Sequence, residues 1–198
     1  MRTVGPLLLA LVLGACAAPP PPAVPGAGAA AWAQREALLS RISHFRLQGR
    51  VAVNAGAEAW HLDVSWRQQG PEYVIDLSGP LGAGRARLAG RAGGPVVLET
   101  AEGRFTAADP EQLLYEHTGV RMPVTALRRW LLGLPAPGVR PAAVDGRGRL
   151  VRLRQDGWEV RFPGYVRVDG LDLPRRITVE RGEVRVRLVV DQWRLGLG

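Results

Sequence analysis

Two stretches decide the fold: Phe45-Arg46-Leu47-Gln48-Gly49-Arg50-Val51-Ala52-Val53-Asn54 and Trp60-His61-Leu62-Asp63-Val64-Ser65-Trp66. In the first, Phe45, Leu47, Gly49, Val51 and Val53 alternate with Arg46, Gln48, Arg50 and Asn54. In the second, Trp60, Leu62, Val64 and Trp66 alternate with His61, Asp63 and Ser65. A period of two is the mark of a strand with one apolar and one polar face. Tyr73, Ile75 and Leu77 continue it, against Val74, Asp76 and Ser78. Three such segments in succession predict an antiparallel sheet.

Working downstream, shorter strands are expected at 85–89, 96–100 and 104–107, separated by Gly79-Pro80, Gly90, Gly93-Gly94-Pro95 and Glu102-Gly103. The period then changes. Asp109-Pro110-Glu111 reads as an N-cap, a proline at the first helical position and an acidic first turn. That helix runs through Leu113, Leu114 and Tyr115 and is closed by Gly119. A second follows Pro123, with Val124, Leu127, Trp130 and Leu131 as its apolar stripe, Arg128 and Arg129 outside, and Gly133 as its stop. Strands resume at 149–155, 158–162, 165–169, 176–181 and 184–193. Upstream, 31–43 reads as a helix, with Trp32, Leu38, Leu39 and Ile42 on one face and Arg35, Glu36 and Arg41 on the other. The class is therefore mainly β with α: one long meander with two helices set into its middle and no internal repeat.

The N-terminus gives an address. Arg2 is followed by an apolar run, Val4 to Ala15, that suits a signal peptide and is too short to span a bilayer. Leu13-Gly14-Ala15-Cys16 is similar to the bacterial lipobox, in which the cysteine thiol is lipidated and the chain is cut before it. Cys16 is the only cysteine, so lipidation also disposes of an awkward free thiol. Ala17 stands where an aspartate would favour inner-membrane retention in the usual sorting rule. An outer-membrane address is expected. Residues 17–31, rich in Pro, Ala and Gly, read as a tether. The expected division is a signal peptide over 1–15, the lipidated cysteine and tether over 16–31, and one domain over 32–198.

Composition narrows the functions. The 198 residues are 46% hydrophobic and 22% charged, as in an ordinary globular chain. All 26 basic residues counted against 18 acidic ones are arginine, which excludes any P-loop lysine, Schiff-base lysine or Ser-Lys dyad. The net charge of +8 is spread along the chain, without the basic-aromatic clusters of nucleic-acid binders. Ser40, Ser43, Ser65 and Ser78 lie in no Gly-x-Ser-x-Gly elbow, and His44, His61 and His117 have no metal spacing. No enzyme, cofactor or metal is expected.

A further set of short motifs, in order, resembles the LolB family within the LolA/LolB-like fold. They are Phe45-Arg46-Leu47-Gln48-Gly49-Arg50, Trp66 with Gln68, Pro80-Leu81-Gly82, Leu113-Leu114, Thr118-Gly119 and Met122-Pro123-Val124. Leu127, Trp130-Leu131-Leu132-Gly133-Leu134-Pro135, Gln155 with Gly157-Trp158, Leu173-Pro174 and Asp191-Gln192-Trp193 complete them. The resemblance implies an incomplete antiparallel β-barrel with an apolar cavity covered by helices. It implies a monomeric, lipid-anchored protein on the periplasmic face of the outer membrane. It implies receipt of client lipoproteins from the periplasmic carrier LolA and their insertion into outer-membrane lipid. In that family an exposed leucine on a projecting loop serves delivery, and the matching residue is Leu81, between Pro80 and Gly82.

Read without the family, Leu81 is first a turn residue tucked against a neighbouring strand, ahead of any membrane-probing role. Each tryptophan taken singly reads as core packing. Trp66 and Trp130 are the first candidates to line an acyl cavity, with Leu62, Val64, Ile75 and Leu127 beside them. Two other functions share the lipobox and the β-rich domain: a structural outer-membrane lipoprotein subunit, and a carrier of free lipid.

Overall fold

The computed structural model describes residues 27–82 and 84–196. Helix α1 (Ala27–Leu39) leads into strands β1 (His44–Ala55), β2 (Glu58–Gln69) and β3 (Glu72–Ser78). A 3-10 turn (Pro80–Gly82) precedes β4 (Ala86–Arg91), β5 (Val96–Thr100) and β6 (Gly103–Ala107). Helices α2 (Pro110–Thr118) and α3 (Val124–Leu131) follow, then β7 (Ala143–Val144), β8 (Leu150–Gln155), β9 (Trp158–Val168), β10 (Leu171–Arg181) and β11 (Val184–Leu195). The strands form one antiparallel sheet in the order β6-β5-β4-β3-β2-β1-β11-β10-β9-β8-β7. The first and last strands of the sequence-order run, β1 and β11, pair at its centre. The edges β6 and β7 stay apart, so the barrel is unclosed.

The register fixes two rims. The lower rim carries the start of β1, the end of β11 and the turns at 70–71, 92–95, 145–149 and 169–170. The upper rim carries the turns at 56–57, 101–102, 156–157 and 182–183, together with the β3–β4 connection at 79–85.

Helix α1 crosses the lower rim. Gly28 lies against the Asp145 carbonyl, and a side chain on Gly148 would collide with the backbone of Ala31 and Trp32. The Arg35 guanidinium donates to the Asp172 carbonyl and stacks on Tyr165, which Arg149 also faces. The tether was expected to run to Ala31, yet its described end, Ala27–Ala31, is already helical. Alanine has the highest helix propensity, and docking on the 145–149 turn stabilises the added turn. The helix also stops earlier than expected, at Leu39 rather than residue 43.

Helix α2 matches its sequence signals. Asp109 accepts from the Glu111 N–H at 2.8 Å, and Gly119 closes the helix at φ 70°. Helices α2 and α3 pack on each other, α2 against β5 and β6, and α3 against β10. Together they carry the chain from one edge of the open sheet towards the other. The expected breaks at 163–164 and before residue 176 are absent, because β9 and β10 are each continuous and register shifts near Pro174 and Arg176 absorb the irregularity.

The core lies between the sheet's inner face and the helices, with Phe45, Leu47, Trp66, Leu98, Leu113, Trp130, Leu173 and Ile177 at its centre. Two glutamines satisfy two of its indoles. Gln68 accepts from Trp66 Nε1 at 3.1 Å and donates to the Gly70 and Glu72 carbonyls. Gln155 accepts from Trp130 Nε1 at 3.2 Å and from the Ala136 N–H at 2.9 Å. The Gln155 contact pins α3 and its exit loop to β8.

Three outcomes follow for stability. Gly49→Ala is expected to cost about 1–3 kcal/mol in urea unfolding, because an added Cβ would overlap the Val189 carbonyl across the β1–β11 bulge. Gln155→Leu leaves the buried Trp130 indole N–H and the half-buried Ala136 N–H unpaired and is expected to cost about 1–3 kcal/mol. The third concerns acid. Burial would raise the Asp145 carboxyl, but hydrogen bonds from the Arg149 and Arg147 N–H groups and the Arg149 guanidinium hold it below its ordinary value of 3.8. Its contribution is present above that value and lost as pH falls below it. Asp145→Asn is expected to flatten the acid limb of a stability-versus-pH curve.

Candidate acyl-chain strip and delivery loop

Alternation places the apolar side chains of β1, β2, β3, β10 and β11 on one face, and the register sets them in rows. One row across the lower half runs Leu47, Trp66, Ile75, Leu88 and Leu98. All five are buried, at 1–7% exposure. The next rows differ. Leu188, Val51 and Leu62 face one another across β11, β1 and β2, and all three are only half-buried. Leu77 and Ala86, paired across β3 and β4, are half-buried too. Trp60, opposite Val53 towards the upper rim, is in the same condition.

These residues form a contiguous apolar strip across five strands, in the upper half of the inner face. Helices α2 and α3 lean on its flanks, at β5–β6 and β10. The strip runs directly into the β3–β4 connection, since Leu77 precedes it and Ala86 follows it. At the same rim, on the outward side of β3–β5, lies a groove of about 770 Å³ lined by the polar residues Asp76, Ser78, Arg85, Arg87 and Glu99 among others.

The residues singled out from sequence divide into five groups. Cys16 lies outside the described residues. Pro80, Leu81 and Gly82 form the 3-10 turn on the upper rim, closed by the Gly82 N–H donating to the Gly79 carbonyl at 3.0 Å. Pro80 is exposed, and Gly82 sits at φ 81°, a conformation suited to glycine. Trp66, Ile75, Val64 and Trp130 belong to the packed core, at 4%, 7%, 9% and 0% exposure. Leu127 on α3 is half-buried against that core. Leu62 alone of the six cavity candidates lies in the open strip. Its neighbours Val51, Leu77, Ala86, Leu188 and Trp60 carry the same alternation signal but are not among the residues singled out from sequence.

The charged groups lie elsewhere. Outward-facing positions pair across strands, as in Arg50–Asp191 at 3.1 Å and Arg87–Asp76 at 3.4 Å. Tyr165, half-buried beneath α1, has its phenol pushed up by desolvation and donates to the Leu150 carbonyl at 2.6 Å. Among the described residues, no set of three or more His, Cys, Asp or Glu could hold a metal ion, and no helix is long and apolar enough to cross a membrane.

Comparison with known proteins places this geometry. Residues 43–193 match the family model described as outer membrane lipoprotein LolB. The chain is 41% identical to the outer-membrane lipoprotein LolB of Halorhodospira halophila over 197 residues, covering 97% of this chain and 94% of that one. It is 42% identical to its counterpart in Alkalilimnicola ehrlichii, covering 95% and 94%. Among solved structures, a LolA superfamily protein from Nitrosomonas europaea shares the fold at a TM-score of 0.53 and 8% identity, covering 86% of this chain and 94% of that one. A DUF1329 family protein from Desulfovibrio piger shares it at a TM-score of 0.50 and 12% identity, covering 87% and 93%. An unclosed antiparallel sheet with an apolar inner face, and motifs matched over most of its length, make this chain a member of the LolB family of outer-membrane lipoproteins.

Proposed function

We infer that this chain, anchored through lipidated Cys16 on the periplasmic face of the outer membrane, takes lipoproteins from the carrier LolA and inserts them into the bilayer. The observation that carries this reading is the half-exposed strip of Leu188, Val51, Leu62, Leu77 and Ala86, which opens towards the Pro80–Gly82 turn. A lipoprotein's acyl chains cannot wait in water, since each exposed methylene costs about 0.8 kcal/mol. They need an apolar surface at every stage. The strip supplies one, and its end at the turn gives the exit.

The transfer needs no covalent step. Direction follows from affinity: the cup holds the chains more tightly than the carrier, and the bilayer more tightly than the cup. The packed core at Trp66, with Trp130 on the fixed α3 wall, becomes part of the acyl site only when α2 draws back from the sheet. The turn that carries Leu81 meets the membrane. One leucine in lipid contributes roughly 1.5–3 kcal/mol, too little to anchor a protein and enough to bias which rim of a tethered one faces the bilayer.

Two measurements test this. Leu81→Glu is expected to leave the melting temperature and the capture of a lipoprotein from LolA unchanged, while release into liposomes slows about 10- to 100-fold. Release at the wild-type rate would remove the turn from the mechanism. Leu62→Asp with Leu188→Asp is expected to keep the fold, because both positions are already half-exposed, and to weaken capture from LolA at least about tenfold. A structural subunit would capture nothing at all, and a free-lipid carrier would take up phospholipid but leave LolA loaded.

A further inference from the structure

The outer face of the sheet is laced with ion pairs: Arg50 with Asp191, Arg87 with Asp76, Arg104 with Glu99, and Arg161 and Arg185 with Glu180. One row breaks the pattern. Arg67, Arg46 and Arg194 stand directly opposite one another on β2, β1 and β11. No ion pair joins any of the three to a carboxylate among the described residues, and Arg67 Nε is buried without a partner. On the outer face their neighbours are Gln48, Ser65 and Gln192 on one side, His44 and Gln69 on the other, and on β3 Val74 directly opposite Arg67, with Asp76 diagonal to it and paired with Arg87. Glu72, at the rim of β3, stands opposite Gln69 and Arg91 instead.

Like charges directly opposite each other destabilise a sheet. Three arginines in a line across about 10 Å are therefore no aid to folding, and they form a ready surface for anions. Their place narrows which anion. The row lies one position in from the lower rim, where α1 begins at Ala27 against the 145–149 turn. The exposed Arg41, in the α1–β1 connection, adds to the same rim. A lipid anchor at Cys16 enters the folded domain at this rim, while the strip and the Pro80–Gly82 turn belong to the other. Protein-binding patches centre on aromatic and apolar groups. Apart from Val74, the neighbours here are amides, a hydroxyl and an imidazole, which suits the wet, charged layer of a membrane surface.

We propose that Arg46, Arg67 and Arg194 form a docking surface for anionic phospholipid headgroups, which holds the tethered domain with its open strip turned away from the bilayer. In that pose a soluble carrier reaches the strip. The eleven residues from Cys16 to Gly26 extend to at most about 40 Å, similar to the length of a 12-residue strand. The Leu81 turn therefore reaches lipid only after the lower rim lifts, so the two poses exclude each other. The inference rests on the proposed function for the anchor and the strip, and adds the receiving pose and its ligand.

The test uses the acylated full chain in vesicles. Lipidation consumes its lone cysteine, so Ala57→Cys on the exposed upper-rim turn takes a single fluorophore. A quencher is placed on the lipid headgroups. With phosphatidylglycerol present, the label is expected to be quenched at least twofold less than in phosphatidylcholine alone. R46Q with R194Q, or high salt, is expected to abolish that difference. The double variant is expected to melt no lower than the parent, since it removes two like-charge contacts. Quenching that ignores both lipid charge and the two substitutions would overturn the proposal, whatever other anion the row then proved to bind. Client release, measured in the same vesicles, reports separately on the transfer reading.

Discussion

Strict alternation along the strands puts an unbroken apolar surface on one face of the sheet, and an unclosed sheet cannot bury that surface by itself. Everything else in the molecule answers this constraint. Closing the barrel would bring the edges β6 and β7 together and fill the interior with side chains. Left open, the lower half of the face is covered by α1, α2 and α3, and the upper half is covered only in part. The half-buried strip follows directly from this incomplete cover.

The cover is held unevenly. Helix α3 buries Val124, Trp130 and Leu131, and Gln155 ties Trp130 and its exit loop to β8. Helix α2 fully buries Leu113 alone, and its remaining length is half-buried or exposed. Between them lie Gly119, in a left-handed conformation, and Pro123. A helix held by so little apolar area is the part of the cover with the least to lose on moving. The route by which a guest reaches deeper than the strip therefore runs past α2, with α3 and its glutamine contact as the fixed wall.

Much of this was legible in the sequence. Asp109, Pro110 and Gly119 bounded α2, because capping chemistry is local. The central strands could be placed because each residue's face is set by parity alone. The start of α1 was not legible, since the Pro, Ala and Gly composition there reads as a tether and the added turn docks on a turn more than a hundred residues away. The acyl candidates were legible by face and not by depth. Alternation groups Leu62 with Trp66, yet which of the two is covered depends on where α2 and α3 land. Gln68 and Gln155 were visible only as motif members; that each satisfies a buried indole is a property of the packed structure.

The central claim is that the strip, rather than the outer face or the packed core, meets acyl chains first. A photo-reactive side chain placed singly at Val51, Trp66 or Val189, in a chain loaded with a lipoprotein bearing radiolabelled acyl groups, tests it most directly. The account predicts strong labelling from Val51, weaker labelling from Trp66 and none from Val189 on the outer face. Equal labelling from Val51 and Val189, or labelling from neither Val51 nor Trp66, would contradict it.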